Sequence, residues 1–167
     1  PWVYTLSLSL GPVIKGTLDQ WLTSFVKGLK KDQDKYDVGL VGGDTVTGSG
    51  PTMISITILG RADPRGVITR NGASVYDDIY VSGTIGDSAA GLKIIKEPVN
   101  YLADSDQLYL KCRYYLPNPR VKLGQALVGI ASAAMDISDG LIQDLGHLCS
   151  ASSLGAIVNW PILPLSK

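Results

Sequence analysis

The segment Val38-Gly39-Leu40-Val41-Gly42-Gly43-Asp44-Thr45 sets a short apolar strand directly against two glycines and an aspartate. Glycines just beyond a strand let the backbone approach a ligand closely, and their N–H groups can face phosphate oxygens. Asp44 offers a hard oxygen of the kind Mg²⁺ takes together with phosphate oxygens and water. A tight turn with a capping aspartate is the alternative, and the segment alone does not decide between them.

Working outward, residues 1–10 alternate. Trp2, Tyr4, Leu6, Leu8 and Leu10 oppose Val3, Thr5, Ser7 and Ser9, the period of a half-buried strand. Gly11-Pro12 ends it. Thr17-Leu18-Asp19-Gln20 has the form of a capping box. Leu18, Trp21, Leu22, Phe25, Val26 and Leu29 then recur at helical spacing. The mixed-charge run from Lys30 to Lys35 reads as the solvated end of that helix and its loop. Ile54, Ile56 and Ile58 alternate with Ser55 and Thr57, so 53–59 reads as another strand.

Arg61 to Arg65 reads as a linker, dividing the chain into 1–60 and 61–167. Beyond it we expect strands at 78–82, 134–137 and 154–160. Asp87 is a plausible cap for a helix that runs on to about Lys96, and further helices are expected at 105–116, 120–132 and 141–152. The class is α+β. A chain that opens inside a strand and closes on Pro161-Ile162-Leu163-Pro164-Leu165 reads as a fragment of something longer.

Composition narrows the function. Fifteen basic and fifteen acidic residues leave no net charge in 167 residues, and 45% of the chain is apolar. That excludes a disordered chain and argues against a nucleic-acid partner, which normally demands a Lys/Arg excess. No apolar run reaches the roughly 20 residues of a membrane span. Cys112 and Cys149 fit no zinc spacing and read as buried free thiols, hence a cytoplasmic protein. His147 is the single histidine, which leaves little room for a zinc protease or a serine hydrolase.

A second acidic group stands at Asp136-Ile137-Ser138-Asp139-Gly140. On a strand, Asp136 and Ser138 would share a face, and Asp139 would enter the turn before a helix. Two carboxylates this close repel unless a cation lies between them, and a helix N-terminus favours phosphate. The alternative is that Asp139 caps the helix while Asp136 is solvated. Arg70, among the turn formers Thr69-Arg70-Asn71-Gly72-Ala73, could clamp a phosphate or serve as a surface charge. Asp144 and His147 stand three apart on a helix and could pair. There is no Gly-x-x-x-x-Gly-Lys-Ser/Thr loop and no protein-kinase catalytic loop, so phosphoryl transfer would need carboxylate-held Mg²⁺.

In their order along the chain these motifs resemble the thiamine-monophosphate kinase family of the aminoimidazole-ribotide-synthetase-like superfamily. The resemblance is carried by Pro1-Trp2 with its strand, Leu40 to Thr45, Thr69 to Ala73 and Asp78-Ile79-Tyr80-Val81-Ser82-Gly83. It continues through Gly86-Asp87-Ser88-Ala89-Ala90-Gly91-Leu92, Met135 to Leu141 and Asp144-Leu145-Gly146-His147. It implies an α+β two-domain fold present without either end. Residues 1–60 would be the later part of an N-terminal ATP/Mg-binding and dimerisation domain, and 61–167 the earlier part of a C-terminal domain.

The implied activity is ATP- and Mg²⁺-dependent phosphorylation of thiamine monophosphate to the diphosphate by direct in-line transfer, in a homodimer. The implied nucleotide contacts are Gly43, Asp44, Arg70 and Ser138. Asp44, Asp136 and Asp139 match metal ligands. Val46-Thr47-Gly48, where the family often has a basic residue, and Tyr76, where glycine is common, depart from the pattern. Two other readings are a superfamily member with a different acceptor, such as an amidine-forming synthetase, and a non-catalytic nucleotide-binding or dimerisation fragment.

Overall fold

The computed structural model describes residues 2–12 and 16–166; Pro1, which opens the expected first strand, lies outside them. The chain divides into two compact units, Pro1–Pro64 and Arg65–Lys167.

Among its described residues the first unit has three strands, β1 (Val3–Leu10), β2 (Gly39–Thr47) and β3 (Met53–Leu59), and one helix, α1 (Leu18–Tyr36). The sheet order is β2-β1-β3, with β2 parallel and β3 antiparallel to the central strand. The helix joins the two parallel strands, which no tight turn can do. Its start is as the sequence predicts. Gln20 N–H donates to Thr17 Oγ1 at 3.2 Å, and Thr17 N–H donates back to Gln20 Oε1 at 3.3 Å. The helix outlasts its apolar stripe, because the charged run continues it to Tyr36 and includes an exposed Lys30–Asp34 pair.

Tyr4, Leu8 and Leu10 of β1 are buried. The Tyr4 hydroxyl accepts from Gln33 Nε2 at 2.8 Å, so α1 lies over this face. Along α1, Trp21, Leu22, Phe25 and Leu29 are half-buried, with Trp21 stacked on Phe25 at 5.0 Å. The cross-strand register puts Ile54, Ile56 and Ile58 of β3 beside Leu8, Leu6 and Tyr4, yet all three isoleucines are exposed.

Gly42-Gly43-Asp44-Thr45 lies within β2, not in a loop beyond it. The ladder slips between Tyr4↔Leu40 and Thr5↔Gly42, a bulge at Val41. Gly43 pairs with Leu6 so closely that a Cβ would sit 1.8 Å from the Leu6 carbonyl oxygen. The glycine admits a neighbouring strand.

The second unit holds α2 (Asp87–Lys96), α3 (Asp104–Tyr115), α4 (Val121–Leu127) and α5 (Leu141–Ser152), followed by a 3₁₀ turn at Trp160–Ile162. Helices α2 and α3 cross at Gly91, where a Cβ would meet the Leu110 carbonyl oxygen at 2.1 Å. Among the described residues of this unit there is no strand. The segments 78–82, 134–137 and 154–160 carry strand-forming side chains but have no laddered neighbour, and strand propensity is realised only through such a neighbour. The helix expected over 120–132 stops at Leu127, since Val128 is extended and Gly129 is left-handed at φ 80°. Cys112 and Cys149 are free, but Cys112 is exposed and Cys149 half-buried, contrary to the buried thiols expected. Among the described residues no helix is long and apolar enough to cross a membrane.

Candidate functional site

Gly43 and Asp44 belong to the strand unit. Asp44 is exposed on β2, and its Oδ1 accepts from the Thr45 N–H at 2.8 Å. Arg70, Asp136, Ser138 and Asp139 belong to the helical unit, and all four are exposed. Among the described residues no three or more His, Cys, Asp or Glu side chains gather into a metal-binding group. The helical unit offers the neighbouring carboxylates of Asp136 and Asp139, and the strand unit separately offers that of Asp44. That donor set suits Mg²⁺, which takes one or two carboxylates and fills its remaining positions with phosphate oxygens and water.

The Asp136–Gly140 segment is not a strand, so the shared face expected for Asp136 and Ser138 does not follow from a pleat. Asp139 does not cap α5 either. The N-cap is Gly140, at φ 139° and with no side-chain cap, while Asp139 Oδ2 accepts from Gln143 Nε2 at 3.3 Å. The organiser is Asp144. Its Oδ2 accepts from the backbone N–H groups of Ser138, Asp139 and Gly140 at 2.9, 3.1 and 3.2 Å. Asp144 is only 2% exposed. Burial alone would raise its pKa. The three N–H donors and the nearby His147 outweigh burial, and the carboxyl is held below the usual range. These donors are therefore engaged by an internal carboxylate and are not offered to a phosphate.

The Arg70 loop is tied to the same helix. Ser152, the last residue of α5, donates to the Arg70 carbonyl oxygen at 2.9 Å and accepts from Ala73 N–H at 3.3 Å. Ala134 N–H donates to the Thr69 carbonyl oxygen at 3.1 Å, which places the loop beside the approach to Asp136. Asp77 closes the loop, accepting from Ser74 N–H at 2.8 Å and from Ser132 Oγ at 2.5 Å. The Ser132 hydroxyl, then the Ser74 amide, hold the Asp77 carboxyl below its ordinary value. Sequence reasoning missed Asp144, Ser152 and Asp77 as organisers. The signal for Asp144 was an acid in the first turn of a helix that begins with glycine.

A cavity of about 550 Å³ borders the Asp139–Gly140 turn, not the Arg70 loop. Gly86 and Gly140, at the starts of α2 and α5, line it with Asp139, Trp160, Leu163 and Leu165. Ile85 N–H donates to the Pro164 carbonyl oxygen at 2.8 Å and holds the C-terminal segment there. Asp87, expected as a helix cap, is instead the first residue of α2. It is buried, hydrogen-bonded by Thr84 and by Tyr109 at 3.0 Å, with Arg113 Nε 3.5 Å away.

Residues 1–62 match the family described as AIR synthase related protein, N-terminal domain. The thiamine-monophosphate kinase of Haemophilus influenzae is 43% identical over 160 residues, which cover 96% of this chain and 48% of that protein. The Escherichia coli enzyme of the same name is 43% identical over 162 residues, 97% of this chain and 48% of its own length.

The chain is similar to the thiamine-monophosphate kinases over nearly all of its own length.

It spans about half the length of the curated relatives it matches. Among solved structures, the thiamine-monophosphate kinase from Stenotrophomonas maltophilia superposes with a TM-score of 0.85 at 36% identity, over 99% of this chain and 52% of that one. AaThiL complexed with AMPPCP and TMP gives a TM-score of 0.80 at 32% identity, over 92% of this chain and 47% of that one. The chain has the α+β fold expected from the resemblance, with the strands in one unit and the long helices divided between both.

Proposed function

We propose that the polypeptide containing this chain phosphorylates thiamine monophosphate to thiamine diphosphate, using ATP and Mg²⁺. The observation that carries the reading is the pair of exposed carboxylates, Asp136 and Asp139, on a loop organised from beneath by Asp144 and tied through α5 to the loop of Arg70. Support comes from the AaThiL structure, which holds AMPPCP, an ATP analogue, with TMP.

In this reading Asp136 and Asp139, with Asp44 from β2, would hold Mg²⁺ through their carboxylate oxygens, and the cation would meet the phosphates. Bound Mg²⁺ would neutralise the phosphate oxygens and so lower the barrier to transfer. Arg70 contributes a fixed positive charge with paired donors for phosphate oxygens. Gly43 contributes main-chain groups of β2 to the nucleotide, and Ser138 supplies a hydroxyl to it. A phosphate oxygen of thiamine monophosphate attacks the γ-phosphorus of ATP, the bond to the bridging oxygen breaks, and ADP leaves. No covalent enzyme intermediate is required.

The exposed row Ile54, Ile56 and Ile58 supports a homodimer formed through the strand unit. The free thiols of Cys112 and Cys149 support a cytoplasmic location. The test is turnover of thiamine monophosphate by the full-length protein. Asp136→Asn and Asp139→Asn should each lower kcat by at least about a hundredfold, the scale on which removed electrostatic stabilisation acts. Unchanged turnover in both variants would sink the metal-site reading.

A further inference from the structure

We propose that Asp144 is a positioning residue for the Mg·ATP site, setting the place of Ser138 and Asp139 through their backbone. The inference rests on the reading of those two residues as nucleotide and metal contacts.

The geometry is specific. One carboxylate oxygen, Asp144 Oδ2, receives three consecutive backbone N–H groups, from Ser138, Asp139 and Gly140. Consecutive amides converging on one anion form a concave cradle, an arrangement proteins elsewhere use to hold bound anions. Here the anion is internal, supplied from the first turn of α5, whose own N–H donates to the Gly140 carbonyl oxygen at 2.9 Å. Asp144 is 2% exposed, whereas Ser138 and Asp139 are exposed. The carboxylate is therefore not itself available to a ligand. It holds the main chain so that two neighbouring side chains project to solvent from a defined loop.

The loop is exposed from Asp136 to Asp139, ends on a glycine and has no strand pairing among the described residues. The Gln143 contact reaches only the Asp139 side chain, at 3.3 Å. A charged acceptor forms stronger hydrogen bonds than a neutral one. Removing the charge while keeping the shape should therefore loosen the loop without dismantling α5.

The experiment uses the full-length protein with Asp144→Asn, Asp144→Ser and Asp139→Asn. Amide hydrogen exchange is read by NMR at 138–140 and in α2 and α3, Mg·ATP affinity by calorimetry, and KM for ATP and for thiamine monophosphate by steady-state assay. In Asp144→Asn we expect exchange at 138–140 to quicken about tenfold while α2 and α3 stay protected. Mg·ATP affinity should fall about tenfold, with KM for ATP rising more than KM for thiamine monophosphate. Asp144→Ser, whose hydroxyl is too short to span the three amides, should show the same pattern more strongly. It also carries the test if the asparagine variant cannot be purified.

Unchanged exchange at 138–140, or faster exchange with wild-type Mg·ATP affinity, overturns the proposal. Asp139→Asn separates the two layers. If it weakens Mg·ATP binding and the Asp144 variants do not, only the positioning role falls. If it binds Mg·ATP like the wild type, the site reading falls and the positioning role falls with it.

Discussion

Ser152 Oγ donates to the Arg70 carbonyl oxygen at 2.9 Å across 82 residues of sequence, so the end of α5 holds the loop whose side chain faces solvent at Arg70. The same hydroxyl accepts from Ala73 N–H, and Gly72 between them lies against Ser132 so tightly that a Cβ would sit 2.0 Å from its carbonyl oxygen. Ser152→Ala removes a donor and an acceptor together, at a cost of about 1–2 kcal/mol in stability. If Arg70 meets the nucleotide, KM for ATP should rise severalfold. A wild-type KM in a folded variant would show that the anchored loop is not part of the site.

Gly43 and Gly42 should respond oppositely to alanine. A Cβ at Gly43 would collide with the backbone of Leu6, and a Cβ at Gly42 would meet nothing within 4 Å. We expect Gly43→Ala to cost about 1–3 kcal/mol or more, because main chain and not a flexible side chain must yield. Gly42→Ala should stay within about 0.5 kcal/mol. Denaturant midpoints of the two variants check the contrast, and equal midpoints would contradict the close strand approach.

The outcome at this motif shows what was legible in sequence and what was not. The residue types in Gly42-Gly43-Asp44-Thr45 are visible in the chain, and so is the strand leading into them. The glycine at 43 was read as room for a ligand, but the space it frees on β2 is taken by Leu6. Only the register of two strands separated by a helix could reveal that. Asp144 is a parallel case. Its spacing to His147 was visible, while its three backbone donors depend on how the chain folds back before α5.

Acid should unfold the protein partly through Asp87. Burial opposes its ionisation, but hydrogen bonds from Thr84, Ser166 and Tyr109 and the charge of Arg113 prevail and hold its pKa below the ordinary 3.8. The folded state thus binds this proton less readily than the unfolded chain. The stabilisation is present above about pH 4 and is lost as pH falls through the lowered folded pKa. Urea midpoints measured at pH 7 and pH 3 should differ less in Asp87→Asn than in the wild type. An equal pH dependence in the two proteins would remove Asp87 from the account. Asp77 and Asp144 are also lowered and will leave some acid sensitivity behind.

Tyr76 stands in the left-handed region at φ 75° with its side chain fully exposed. A non-glycine residue there costs about 1–2 kcal/mol, with no buried contact at this position in compensation. Tyr76→Gly relieves that strain against a glycine entropy cost of about 0.5–1 kcal/mol, for a net gain of up to about 1.5 kcal/mol. Tyr76→Val, β-branched, should destabilise instead. A lower Tm for the glycine variant than for the wild type would refute the strain.

Local rules were enough for what depends on neighbours in the chain. The capping box at Thr17, the stripe through Trp21 and Phe25, the alternation of β1 and β3, and the starts of α2 and α5 are all set by residues within a few positions of one another. The acidic and glycine motifs that mark the family are legible in the same way. Tertiary structure decided what depends on distant partners. It left 78–82, 134–137 and 154–160 without a ladder, placed Gly43 against Leu6, buried Asp87 beside Arg113, and turned Asp144 and Ser152 toward the loops of Asp139 and Arg70. A side chain's type fixes what it can bond to, but its partner is whichever group the folded chain brings within about 3 Å.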